Sequence, residues 1–139
     1  YCSAPNVVCV SATGPTAQAG VNGPWTQPDA KASYSNYGVS SINVAAPGGN
    51  GATAVWASCS SFSLQIPVCQ TGTFIVGLSG TSMASPHVAG VAALISEDVG
   101  NNPGQIRARL QQSADDLGAP GADPIYGKGR LNARRAVGL

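Results

Sequence analysis

Short apolar runs broken by glycine and proline fill the first half of the chain, and helical spacing takes over in the second. Val7 to Ala12 (VVCVSA) is a β-branched run closed by Thr13-Gly14-Pro15, which predicts a buried strand. Gly14 to Ala30 is rich in Gly, Pro, Gln and Asn and predicts an excursion loop carrying Trp25. Ser40 to Ala46 predicts a second buried strand, stopped by Pro47-Gly48-Gly49. Thr53 to Ser58 and Phe74 to Ser79 read as two further strands. After Ser82 the period changes. Val88, Val91, Ala92 and Ile95 recur at helical spacing, with Ala84, Ala89, Gly90 and Ala93 on the remaining sides, so this helix is expected to be buried nearly all round. Pro103 suits the first turn of a second helix, with Ile106 and Leu110 inward, Arg107, Arg109 and Gln111 outward, and a stop at Gly118-Ala-Pro-Gly121. Asn132 to Val137 predicts a short final helix. The order of elements is that of the end of an α/β domain, and its apolar strands belong in parallel sheets covered on both faces.

Composition sharpens this picture. Apolar residues make up 43% of the 139 residues and charged ones only 9%, against roughly 25% in an average soluble domain. So little charge predicts a piece buried against further protein. A net charge of +1 gives no footprint for nucleic acid or an anionic membrane. No apolar run approaches the roughly 18 residues of a membrane span, and no targeting signal is visible at Tyr1-Cys2. Cys2, Cys9, Cys59 and Cys69 permit three pairings. Proximity favours Cys2–Cys9 and Cys59–Cys69, hence an oxidising compartment, with four buried thiols as the alternative. With no CxxC pair and a single histidine, metal binding is not expected.

The chemistry concentrates in Gly80-Thr-Ser-Met-Ala-Ser-Pro-His-Val-Ala-Gly90, which holds two serines and the only histidine. On a helix beginning at Ser82, the side chains of Ser82 and His87 point about 140° apart with about 7.5 Å of rise between them. A general base must lie within about 3 Å of the hydroxyl it deprotonates. His87 is therefore expected to be a structural imidazole, hydrogen-bonded within the core. Ser85 has no better base. The approach Gly77-Leu-Ser-Gly-Thr-Ser82 suits a nucleophile, because glycines admit a substrate backbone and a helix N-terminus offers free amides to an oxyanion. The same Gly-Thr-Ser also fits a plain N-cap. An α/β-hydrolase elbow is excluded, since G-x-S-x-G needs glycine where Ala84 stands.

GTSMASPHVAG resembles the active-site serine motif of the subtilisin-like serine proteases. NVVCVSAT, KASYSNYGVSSINVAAPGG and YGKGRLNARRAV resemble other segments of that family, in its order, while Gly14 to Ala30 and Gly49 to Thr73 are longer than in compact members. The resemblance implies the C-terminal part of a three-layer α/β domain, with a mostly parallel sheet flanked by helices. It implies Ser82 as nucleophile, the Ser82 backbone N–H as one oxyanion donor, and Leu78, Ser79, Gly80, Thr81 and Met83 beside the substrate. It gives His87 a structural role. The family's catalytic histidine, its aspartate and its oxyanion amide lie in upstream segments. Asp29, Asp115, Asp116 and Asp123 stand in the wrong contexts to replace the aspartate.

The expectation is a secreted serine endopeptidase acting on an extended peptide or protein substrate through an acyl-enzyme, with this chain inactive alone. No cofactor is required, and structural calcium has a place in the parent domain, although Glu97-Asp98 reads as surface. Partners are the N-terminal remainder of the same domain, or a second copy where bared strands pair. The alternative is a non-catalytic or degenerate relative acting by association. Tyr34 and Tyr37 around Asn36 read as a turn packed on the core rather than a binding ledge. Trp25 and Trp56 read as plugs holding loops down, and Arg134-Arg135 as a solvated helix face.

Overall fold

The computed structural model describes every residue except Tyr1, Ser3, Val21, Ala52 and Thr73, so the opening residue and the end of the longer half-cystine stretch fall outside it. Strand β1 (Val10–Thr13) pairs in parallel with β4 (Val44–Pro47), in register from Val10 opposite Val44 to Thr13 opposite Pro47. Strands β2 (Ala17–Gln18) and β3 (Trp25–Thr26) form a minimal antiparallel pair inside the expected loop. Strands β5 (Val55–Ser58) and β6 (Ile75–Leu78) form an antiparallel hairpin. The helices are α1 (Thr81–Val99), α2 (Pro103–Gln112) and α3 (Ala133–Ala136).

The first two strands are shorter than their apolar runs. Before β1, the Cys9 amide donates to Asn43 Oδ1 at 2.8 Å, and Asn43 N donates back to Cys9 O. Before β4, Ser40 adopts φ 65° in a tight turn where Ser41 N and Ile42 N both donate to Gly38 O. That turn consumes the first residues expected of the strand. Beyond β4, Ala45 N donates to Gly129 O and Leu131 N to Ala45 O, so the chain near Arg130 runs as a third, parallel neighbour.

Helix α1 packs on β1 and β4 through Ala84, Val88, Val91 and Ile95, and Leu110 of α2 closes the same core. Alanines on both layers (Ala12, Ala46, Ala84) let helix and strands approach closely. Burial on all sides of α1 is not observed. Ala89, Gly90, Ala93 and Leu94 face outward, Leu94 at 54% exposure. The stripe at i, i+4, i+7 and i+11 is what the two strands can cover, and the small residues elsewhere on the helix lie beyond their reach.

The helix ends follow their sequence signals. Gly100, at φ 70°, donates its amide to Ser96 O and stops α1. The Asn102 side chain accepts from Gln105 N with Pro103 at the first helical position, and Asn132 caps α3 by accepting from Arg135 N. Both cystines close within their own segments, Cys2–Cys9 and Cys59–Cys69, with Cα–Cα distances of 5.4 and 5.5 Å.

Candidate active site

Strand β6 leads through Ser79 and Gly80 straight into α1, which places Ser82 in the first helical turn. Gly80 occupies the N-cap position in an extended conformation and carries no capping side chain. The Thr81 and Ser82 hydroxyls are thus not caps, contrary to the simpler reading of Gly-Thr-Ser. Met83 N and Ala84 N donate back to Gly80 O at 2.9 and 3.3 Å. The Thr81 and Ser82 amides therefore precede the intrahelical ladder and remain at the positive end of the helix dipole. Pro86 lies inside the helix; lacking an N–H, it leaves the Ser82 carbonyl without its usual i+4 donor.

The turn ahead of Ser82 is held from β4. Gly80 N donates to Gly48 O at 2.8 Å. The Tyr34 hydroxyl shares its proton between Gly48 O and Gly49 O, at 2.7 and 2.6 Å. Burial pushes the Tyr34 phenol above its ordinary range, against a smaller lowering influence from the Gly80 backbone. A Cβ on Gly48 would lie 2.7 Å from both Ala12 Cβ and Gly80 O, so only glycine fits there. Sequence reasoning placed Tyr34 in a packed turn and missed this hold on the serine. The partners are 14 or more residues away, and no local pattern announces them.

Ser82, Met83, His87 and Leu78 border one cavity of about 440 Å³, whose far side is built by Trp56 of β5 and Ile66 of the half-cystine loop. Of the other residues expected beside the substrate, Ser79 turns its hydroxyl to Thr53 O at 2.5 Å, Gly80 is tied to Gly48, and Thr81 is exposed. His87 makes a 2.7 Å contact through Nδ1 with Met83 O, and no hydrogen bond links its ring to Ser82. It is exposed, not buried as expected. It sits one residue before Val88, about 100° from the packed stripe, so β1 and β4 do not cover it.

The acidic residues take up structural work. Arg130 donates to both Asp29 oxygens at 2.8 and 2.7 Å and to Asp115 Oδ2 at 2.6 Å. Asn132 Nδ2 and Arg135 also reach Asp115. The Asn132 amide, followed by Arg130 and Arg135, holds the Asp115 carboxyl below its usual range against the opposing effect of burial. Arg135 is thereby tied down rather than simply solvated. Asp123 accepts from Ile125 N and Tyr126 N, each at 2.7 Å, and fixes a turn. Asp116 receives the Gly121 amide, and Asp98 pairs with Arg109. Among the described residues no group of three or more His, Cys, Asp or Glu side chains could hold a metal ion. Trp25 and Trp56, both more than half exposed, border a second cavity of about 550 Å³ near Asp29 and Arg130.

A nucleophile-bearing helix fed directly by a strand beside a parallel β-pair defines an α/β fold of hydrolase type. The Subtilase family profile matches residues 2–129, and the chain belongs to that family. It is 38% identical to the thermostable alkaline protease of Halalkalibacterium halodurans, over 94% of this chain and 34% of that protein. It is 40% identical to thermitase of Thermoactinomyces vulgaris, over 80% of this chain and 33% of thermitase. The chain thus spans about a third of the length of these curated relatives. Among solved structures, fervidolysin from Fervidobacterium pennivorans, a keratinolytic enzyme related to subtilisin, superposes with a TM-score of 0.73 at 26% identity, covering 98% of this chain and 19% of fervidolysin. A lanthipeptide protease superposes at 0.69 and 29% identity, covering 96% and 42%.

Proposed function

We propose that this chain is the nucleophile-bearing, C-terminal segment of a single serine endopeptidase domain. Ser82 attacks the scissile carbonyl of an extended peptide or protein, and its backbone N–H donates to the resulting oxyanion. The observation that carries this reading is the placement of Ser82. Its amide lies ahead of the helical ladder and its residue borders an apolar cavity, within a motif that family membership makes meaningful. Met83 and Leu78 flank the substrate, while Ser79, Gly80 and Thr81 shape the turn that presents the serine.

These 139 residues contain one histidine, and its ring contacts a helix carbonyl rather than Ser82. A serine at its ordinary pKa is a weak nucleophile. The proton acceptor must come from elsewhere in the protein, and the segment alone is inactive. The remainder of the catalytic domain is its partner, with self-association as the outcome when that remainder is absent. Two cystines fit a secreted protein. No helix among the described residues is long and apolar enough to cross a membrane.

The test is Ser82→Ala in the full-length protein. Peptide hydrolysis should fall by about 10⁴- to 10⁶-fold, and covalent labelling by phenylmethylsulfonyl fluoride should disappear. Inhibitor-sensitive turnover by the purified 139-residue chain would refute the inactivity of the segment.

A further inference from the structure

We propose that the loop closed by Cys59–Cys69 is a specificity element, with Trp56 and Ile66 forming the wall of a pocket for one bulky apolar substrate side chain beside the scissile bond. The proposal rests on Ser82 being the nucleophile.

The cavity that Ser82 borders has a volume of about 440 Å³, within the range of roughly 300–1,000 Å³ typical of ligand pockets. Its apolar surface comes from Trp56, Ile66, Val76, Leu78 and Met83, and no Asp, Glu, Lys or Arg lines it. A charged substrate side chain would lose its hydration there without gaining a partner. A leucine or phenylalanine side chain would instead cover surface that is now wet, including an indole 58% exposed.

The wall is held in place. Trp56 stands opposite Gly77 in the hairpin register. A Cβ on Gly77 would come within 3.0 Å of the indole, so the ring lies across the bare glycine backbone. Ile66 immediately precedes a 3-10 turn, Pro67–Thr71, and its carbonyl accepts from Cys69 N at 3.0 Å. Cys69 is buried and bonded to Cys59, whose amide donates to Phe74 O at the mouth of the hairpin. The cystine therefore ties Ile66 to the strands that carry Trp56, Val76 and Leu78. Without it the loop has few packed residues with which to hold that position: Phe62 and Leu64 are almost fully exposed.

The experiment profiles the full-length protein on fluorogenic peptides bearing Leu, Phe, Gly or Asp at each position flanking the cleaved bond. At one position Leu or Phe should exceed Asp by about 100-fold or more in kcat/KM. Trp56→Ala and Ile66→Ser should each shrink that preference about 10-fold, mainly through KM, while turnover of the Gly peptide stays unchanged. The Cys59→Ser, Cys69→Ser double variant should behave like Ile66→Ser. If the double variant does not fold, Ile66→Ser with the cystine intact decides the matter. An equal loss on all four peptides, which is what packing against another part of the domain would produce, overturns the proposal. So does an undiminished preference in both wall variants. Hydrolysis that persists in Ser82→Ala would instead refute the nucleophile assignment, whatever the wall variants show.

Discussion

The β1–β4–α1–α2 body and the β5–β6 hairpin are built on opposite principles. The body buries Ile95 and Leu110 to 1% exposure and fills the space between them with alanine and valine. The hairpin leaves Phe62 89% and Leu64 83% exposed and is closed at its tip by a covalent bond. One region is held by packing and the other by chemistry. The difference teaches where tolerance lies. In the body, one lost methylene removes contacts on every side. In the hairpin, sequence can vary so long as the crosslink and the ladder remain. Ser82 sits at the junction, taking its turn from the rigid side and its cavity wall from the tethered one.

The contrast can be broken most strongly from the body. Leu110→Ala should cost about 2–5 kcal/mol of stability, measured by chemical denaturation, whereas Leu64→Ala in the hairpin loop should cost almost nothing. Equal effects would erase the distinction. Opening Cys59–Cys69 by paired serine substitution should remove about 2–3 kcal/mol of loop-closure stabilisation. That loss should be local: amide exchange should speed up across β5, β6 and the 3-10 turn, with α1 and α2 protected as before.

Next in size is the ionic clamp at the edge of the body. Arg130→Ala leaves Asp29 and Asp115 facing each other in a partly buried site and should cost about 2 kcal/mol. Its pH signature follows from the depressed Asp115 carboxyl. The contribution is fully present above the unfolded value of about 3.9 and is lost as pH falls through the lower folded value. Asp115→Asn should therefore flatten the acid limb of the stability curve, and an unaltered limb would contradict the assignment. Smallest is the cap on α2: Asn102→Ala should cost about 1 kcal/mol, read as a lowered unfolding midpoint with no change in the hairpin.

How legible these features were in the sequence depended on the range over which each is specified. Helix α1 and the cystine pairs are local, and the spacing of Val88, Val91 and Ile95 or the closeness of the cysteines was enough to find them. The motif around Ser82 was legible because a long, specific string carries it. The clamp was not, since Arg130 and Asp29 lie 101 residues apart and each looks like an ordinary surface charge. The Tyr34 contact was hidden for the same reason. The exposure of His87 and Leu94 was misjudged for a different one: periodicity reveals which residues of a helix are small or apolar, but not how many of its sides have neighbours.

One phenolic proton serves two carbonyl oxygens ahead of the nucleophile. Once Tyr34 ionises, attraction becomes repulsion at both contacts, because a phenolate and two carbonyls present only lone pairs to one another. The upward displacement of that ionisation keeps the phenol protonated past the pH at which an unburied tyrosine would ionise. The presentation of Ser82 thus has an alkaline ceiling: the tether stabilises the turn below about pH 10 and is released as pH climbs through the higher folded value.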